Sequence, residues 1–199
     1  MQFSPRPYQQ VAIDRMRDHE VHYLALRMGL GKSVIALTAV QDMLRKDGAG
    51  PALVVAPKRV AELVWHAEAG KWDHLSSLTV SKVLGPIPAR LEALMVDADV
   101  YVINRENFSW LVDLVKESKQ PWPFSCVVID ENRGFKDRAS KAWQALKSVR
   151  GQIQKLFILT GTPDPNGDLL DLWAQISIMD NGKRLGTGIT KYRDQWYVP

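Results

Sequence analysis

The sequence contains little cysteine and no long apolar run, and both absences exclude classes of protein. A single cysteine, Cys126, cannot form an internal disulfide, and its apolar neighbours indicate a buried thiol in a reducing compartment. No apolar run approaches the roughly 18 residues that span a bilayer, and the first residues lack the apolar core of a signal peptide. We therefore expect a soluble cytoplasmic protein that makes no contact with a membrane.

Neither histidine nor charge assigns a function. The histidines are scattered without the spacing of metal ligands, so they predict no metal site: His19, His22, His66 and His74. The 26 basic and 22 acidic side chains leave a formal net charge of +4, which is compatible with a nucleic-acid partner. The same balance is typical of a mixed, solvated surface, so charge alone decides little.

Short apolar runs alternate with segments of helical period along the chain. The runs are typical of buried strands and cover residues 22–26, 51–56, 78–84, 99–103, 125–129 and 155–159. The helical segments include residues 33–46, 60–70, 87–95 and 139–149. This alternation predicts an α/β fold, a three-layer sandwich with a mainly parallel central sheet flanked by helices. We expect one domain over residues 1–199, with a looser tail from the glycine-rich segment 180–188 onward.

The stretch LALRMGLGKSVIAL, residues 24–37, resembles a strand that turns at glycines into a helix. Backbone N–H groups around Gly29 and Gly31 can converge on phosphate at such a turn. Lys32 would reach the β and γ phosphates, and the Ser33 hydroxyl would bind Mg²⁺. The full phosphate-loop pattern begins with a glycine where this chain has Leu26. A helix that simply starts after a glycine turn is therefore the alternative.

Two further segments place polar side chains at strand ends. Asp130 and Glu131 follow the run VVI, where one carboxylate can hold Mg²⁺ and the other can deprotonate the attacking water. Their alternative interpretation is a solvated acidic turn. Thr160, Gly161 and Thr162 follow the last strand, and their hydroxyls could sense the γ phosphate if they lie beside the carboxylates.

Taken together, these segments resemble a known family of motors. The motifs Q, I, Ia, Ib, II and III of superfamily-two helicases are matched in order by SPRPYQQVAIDRM, MGLGKS, VVAPKRVAELVWHAEAGKW, DVYVINRENF, VVIDEN and LTGTPDPNGDLLDLWAQ. The motif sequences most resemble those of Swi/Snf-type DNA translocases, and the C-terminal segment resembles the compact versions found in bacteriophages. The resemblance implies a RecA-like ATP-binding domain, acting in a bacterial or phage-infected host cell.

The resemblance implies a role for each matching residue. Gln9 would bind the adenine edge, with Arg6 and Tyr8 beside the base; a polar residue on an amphipathic helix is the alternative for Gln9. ATP would be bound by the loop Met28, Gly29, Leu30, Gly31, Lys32 and Ser33. Mg²⁺ would be held by Ser33 and Asp130, with Glu131, Lys32 and Asp130 forming the catalytic set. The motif that couples ATP hydrolysis to movement would contain Thr160, Gly161 and Thr162.

Contacts with DNA are implied after the second and fourth strands. These loops carry Lys58, Arg59, Asn104 and Arg105, and phosphate contacts of this kind have little sequence preference and strong salt dependence. Plain surface solvation is the alternative for these four residues. Tryptophans such as Trp110 and Trp122 leave base stacking open as well.

The chain also departs from the family pattern. Asn132 and Arg133 follow the acid pair where relatives usually carry Ala-His or a similar small pair, and we expect no second RecA-like domain within these 199 residues. We expect half of a DNA-dependent ATPase, which needs a second RecA-like domain in cis or in trans. The alternatives are a non-catalytic domain that binds DNA or host nucleic-acid-processing proteins as a mimic or inhibitor, and a small phosphate-loop kinase.

Overall fold

The computed structural model describes residues 1–135, 137–162 and 169–196. Strands β1 to β6 are Val21–Ala25, Ala52–Ala56, Val80–Val83, Val100–Asn104, Cys126–Asp130 and Lys155–Thr160. Helices α1 to α9 are Pro7–Asp18, Lys32–Asp47, Lys58–Leu63, Trp65–Lys71, Ile87–Met95, Arg105–Glu117, Lys141–Val149, Leu169–Asp180 and Ile189–Trp196. Short 3-10 turns lie at Asp73–Leu75, Asn132–Phe135 and Arg150–Gln152.

One six-stranded sheet in the order β1-β6-β5-β2-β4-β3 organises the described residues. Every strand pair is parallel, so the predicted mainly parallel sheet is confirmed. All carboxyl ends of the strands therefore meet at one edge of the sheet, which we call the carboxyl edge. The phosphate loop follows β1, the acid pair lies at the end of β5, and Thr160 ends β6.

Side-chain alternation along the strands builds two cores, one on each face of the sheet. In β2, Val54 faces a cluster formed with helices α1 to α4, whereas Leu53 and Val55 face a cluster formed with α6, α7 and the end of α8. The same alternation holds in β5, where Cys126 and Val128 lie in the first cluster. Because both faces are covered, the strands read as continuous apolar runs rather than alternating ones.

The predicted helix over 60–70 occurs as two segments, α3 and α4, which meet at Val64. The backbone of Val64 keeps helical dihedral angles, φ −91° and ψ −55°, so the division is a local irregularity. Beyond α8, Trp173, Ala174 and Tyr192 form a small third cluster that joins α9 to α8. Among the described residues, no helix is long and apolar enough to cross a membrane.

Candidate active site

Two glycines shape the loop between β1 and α2. Gly29 and Gly31 both have φ of 80°, the left-handed region that side chains disfavour. Space is also limited at Gly31, because a Cβ there would lie 2.7 Å from Nε2 of Gln9. The backbone conformation therefore requires glycine at position 31, and a Cβ there would also have to displace the Gln9 amide.

Lys32 is anchored by the residue that stands in the usual glycine position. Its Nζ donates a hydrogen bond to the carbonyl oxygen of Leu26 at 3.0 Å. Leu26 has a negative φ, so its backbone needs no glycine, and its side chain packs against the first core cluster. Leucine at position 26 is thus compatible with the conformation of this loop.

The start of α1 is fastened to the phosphate loop. Gln9 is 9% exposed; its Oε1 accepts from the Arg6 N–H at 2.9 Å and its Nε2 donates to the Leu30 carbonyl at 3.3 Å. The Tyr8 hydroxyl donates to the same carbonyl at 3.2 Å. Arg6, Tyr8 and Gln9 are therefore brought to the loop that is predicted to bind ATP.

The Asp130 carboxylate is buried at the end of β5. It is 7% exposed, and Oδ2 accepts a hydrogen bond from Nε1 of Trp65 at 3.1 Å. Burial raises the pKa of Asp130 to about 6 and the charge of Glu131 adds to the rise, while the Trp65 hydrogen bond and Lys32 oppose it. Trp65, itself fully buried, is a site residue that the sequence analysis missed. Its only sequence signal is its place in the segment that resembles motif Ia.

Glu131 adopts a backbone conformation that is rare for its residue type. Its φ is 54°, while its N–H continues the sheet by donating to the Leu159 carbonyl at 3.0 Å. A left-handed conformation costs a non-glycine residue roughly 1–2 kcal/mol. Such strain is typical of functional positions that the surrounding structure holds in place.

The end of β6 brings the third predicted motif against the first two. A methyl group at Gly161 would lie 3.6 Å from Oε1 of Glu131 and 3.7 Å from Nζ of Lys32. Thr160 is fully buried, and its Oγ1 accepts from the Thr162 N–H at 3.1 Å. The Thr160 carbonyl accepts from the Leu26 N–H at 3.0 Å, which joins this segment to the phosphate loop.

A cavity of about 1050 Å³ at the carboxyl edge unites these groups. Its polar wall contains Arg6, Tyr8, Gln9, Gly29, Gly31, Lys32, Ser33, Asp130, Glu131, Gly161 and Thr162. Phe3, Val60, Val64 and Trp72 add an apolar wall. The Ser33 hydroxyl and the Asp130 carboxylate supply oxygen ligands of the kind that Mg²⁺ prefers, so the residues fit that ion. No separate cluster of metal-ligating side chains is found among the described residues.

The residues predicted to contact DNA lie at the same edge but differ in exposure. Lys58 and Arg59 are exposed at the start of α3, and Arg105 is half-buried at the start of α6. Asn104 is buried; its Nδ2 donates to Glu106 at 2.8 Å and its Oδ1 accepts from Asn107 at 2.6 Å. Asn104 thus holds the start of α6, and its contact with DNA stays a prediction.

The tryptophans serve mainly in packing. Trp143 and Trp173 are buried, as their helical faces predict, and Trp122 is 7% exposed. The ring of Trp110 is covered by the guanidinium of Arg90 at 3.9 Å. The side chains of Asn132 and Arg133, and all of Pro163 and Pro165, lie outside the described residues.

Known proteins with a similar sequence identify the family of this chain. The sequence model of the SNF2-related domain family matches residues 8–187 of this chain. The chain belongs to the SNF2-related domain family. This SNF2-related domain is 37% identical over 202 residues to protein p41 of the Acyrthosiphon pisum secondary endosymbiont phage 1, covering 98% of the chain and 43% of p41. It is also 32% identical over 197 residues to protein CHROMATIN REMODELING 19 of Arabidopsis thaliana, covering 89% of the chain and 25% of that protein.

A solved structure confirms the fold of the SNF2-related domain. The Sulfolobus solfataricus SWI2/SNF2 ATPase core in complex with dsDNA matches with a TM-score of 0.78 and 24% identity, over 98% of this chain and 39% of that chain. The RecA-like fold predicted from the sequence is therefore confirmed. The chain spans less than half the length of these relatives.

Proposed function

We propose that this SNF2-related domain is the ATP-binding half of a DNA-dependent ATPase that couples Mg-ATP hydrolysis to movement along DNA. The convergence of the phosphate loop, the acid pair, Gly161 and Thr162 on one cavity carries the proposal. A helix that merely starts at a glycine turn would not need an acid pair and a lysine within reach of the same glycine. A solvated acidic turn would not bury Asp130.

The chemistry follows from where each group lies. Lys32 and the N–H groups of the phosphate loop bind the phosphates, and Ser33 and Asp130 would hold Mg²⁺. When bound, Mg²⁺ neutralises charge on the β and γ phosphates. Glu131 orients the attacking water and accepts its proton. The link from Leu26 to Thr160 connects the phosphate loop to the segment that would report the γ phosphate.

Exposed and half-buried cations at the carboxyl edge support a DNA partner. Lys58, Arg59 and Arg105 are suited to the phosphate backbone, because such contacts need charge and hydrogen-bond donors rather than base recognition. Full activity would require arginines from a second RecA-like domain, in cis or in trans. Absence of such an arginine costs roughly 10³ to 10⁵ in rate, so we expect slow hydrolysis by the chain alone.

The test measures Mg-ATP binding and hydrolysis by the 199-residue chain, with and without duplex DNA. Glu131→Gln controls for contaminating activity, because it keeps the size of the side chain and removes the base. We expect the unaltered chain and the Glu131→Gln variant to bind Mg-ATP. The unaltered chain should hydrolyse ATP slowly, DNA should stimulate this hydrolysis, and the variant should show none. Absence of both binding and hydrolysis would contradict the proposal and favour a non-catalytic domain.

A further inference from the structure

A second, smaller cleft opens at the carboxyl edge between the first turns of α6 and α7. Its volume is about 430 Å³, and its lining includes Arg105, Glu106, Ser109, Gly134, Ser140 and Lys141. Helix α6 starts directly after β4, and Gly134 belongs to the 3-10 turn that follows Glu131. The cleft therefore lies on the same edge as the ATP cavity, but it shares no residue with it.

We propose that this cleft binds a phosphate of the DNA backbone, with Lys141 and Arg105 as its cations and the Ser109 hydroxyl as a further donor. The proposal rests on the function proposed above, since it takes DNA as the partner. It adds a site on α7, an element that the motif-based prediction of DNA contacts did not include.

The charges of the cleft suit a phosphate diester. Lys141 is exposed at the first position of α7, and the Arg105 side chain is 31% exposed. One carboxylate, Glu106, is also present; it accepts from Asn104 at 2.8 Å and from Arg105 at 3.3 Å. Among the described residues that line the cleft, two cations against one anion leave a net positive charge. The Glu106 contact also limits the orientations of the Arg105 guanidinium.

A close approach of Arg105 to Gly134 forms the floor of the cleft. A Cβ at Gly134 would lie 2.2 Å from Cδ and 2.8 Å from Nε of Arg105. Arg105 can therefore lie across this turn only because residue 134 is a glycine. The turn is fixed on its other side, where the Ser140 hydroxyl donates to the Gly134 carbonyl at 2.9 Å and accepts from the Trp143 N–H.

This packing connects the cleft to the acid pair. Gly134 follows Glu131 within one short turn, so the position of Arg105 and the position of that turn depend on each other. A phosphate bound by Arg105 would therefore fix the position of the Arg105 side chain and of the turn that contains Gly134. Arg105 is thus assigned two roles: it contacts the DNA backbone, and it positions the turn that follows Glu131.

The experiment is a salt titration of binding to a fluorescein-labelled duplex of random sequence. Each lost phosphate contact lowers the slope of log K against log salt by about 0.9. We expect this decrease for Lys141→Ala and for Arg105→Ala. Lys116→Ala is the matched control: it removes an exposed cation from the far end of α6, roughly 16 Å along the helix, and should leave the slope unchanged.

A second set of variants tests the close approach. Gly134→Ala should displace Arg105 and lower the slope as much as Arg105→Ala does. Because Arg105→Ala vacates the space, the double variant should fold and lose no more than either single variant. Gly151→Ala, where a Cβ would meet no atom within 4 Å, is the control.

The outcomes separate this inference from the proposed function. If Lys58→Ala lowers the slope while Lys141→Ala and Gly134→Ala do not, the proposal that the cleft binds a DNA phosphate is rejected and the proposed binding of DNA stands. If the unaltered chain binds no duplex at any salt concentration, both are overturned. Equal decreases for Lys141→Ala, Arg105→Ala and Gly134→Ala support the cleft.

Discussion

The indole N–H of Trp65 donates to Oδ2 of Asp130 at 3.1 Å, and both side chains are buried. The bond joins the start of α4 to the end of β5, so a helix on one face of the sheet orients the carboxylate predicted to hold Mg²⁺. It also opposes the effect of burial on the pKa of Asp130. Trp65 therefore orients Asp130 from outside the cavity, because it is not among the residues that line it.

We predict that Trp65→Phe weakens Mg-ATP binding at pH 7 by about tenfold. Phenylalanine fills most of the space but removes the indole donor from a buried carboxylate, which costs roughly 1–3 kcal/mol. Isothermal titration calorimetry with Mg-ATP measures the change. Trp143→Phe is the control, because it removes a buried indole that donates to Ala174 at 3.2 Å, away from the site. Equal losses in both variants would contradict the role of Trp65.

The pKa of Asp130 predicts a pH-dependent effect on stability. Burial raises this pKa from 3.8 to about 6, so the folded state favours the protonated carboxyl. The stabilising contribution of that proton is complete below pH 3.8 and is lost as the pH rises through about 6. Asp130→Asn, which removes the charge, should therefore raise the melting temperature at pH 7.5 and have little effect at pH 4.

Thermal unfolding without Mg²⁺ measures this difference. At pH 7.5 we expect a gain of roughly 2 kcal/mol for Asp130→Asn. Asp113→Asn, on the exposed side of α6, is the control and should show no such gain. A gain for Asp130→Asn that is the same at pH 4 and pH 7.5 would refute the assignment.

The left-handed backbone of Glu131 predicts an unusual order of stabilities. Glu131→Gly should be more stable than Glu131→Ala by about 1 kcal/mol, because glycine adopts a φ of 54° without strain. Urea denaturation measures both variants. At Glu92, exposed within α5, the order should reverse by about 1 kcal/mol, since alanine is favoured inside a helix. The same order at both positions would show that Glu131 is unstrained.

The two glycines of the phosphate loop should tolerate alanine differently. Both have φ of 80°, but a Cβ at Gly29 meets no atom within 4 Å, whereas a Cβ at Gly31 meets Nε2 of Gln9. Gly31→Ala should thus weaken ATP binding at least tenfold more than Gly29→Ala does. Adding Gln9→Ala to Gly31→Ala should relieve the clash and recover part of the stability, measured by thermal unfolding. No recovery would mean that backbone strain alone is responsible.

The fold was largely predictable because its signals are local. Six apolar runs with helices between them predict a parallel sheet, and the strands differ from the predicted bounds by one or two residues at most ends. The break at Val64 was not predictable, since no proline or glycine lies there. Its backbone remains helical, so the sequence pattern of one helix is preserved.

The site was predictable where motifs lie at strand ends and not where contacts cross the fold. Asp130 and Thr160 follow apolar runs, which place them at the carboxyl edge. Trp65 meets Asp130 from another element, and Arg105 meets Gly134 in the same way. Such pairs leave no local pattern, because each residue alone fits a helix or a turn. Leu26 shows the converse: a departure from the motif that the backbone accommodates.

The lone thiol of Cys126 lies in the same strand as Asp130, 2% exposed near the middle of the sheet. Burial also raises the pKa of this thiol, so it is both shielded and un-ionised while β5 stays in place. An alkylating reagent can therefore label the chain only when this part of the sheet opens. The rate of labelling therefore reports how often β5 separates from its neighbouring strands, and a change in that rate on adding Mg-ATP would report how far the nucleotide keeps the strand in place.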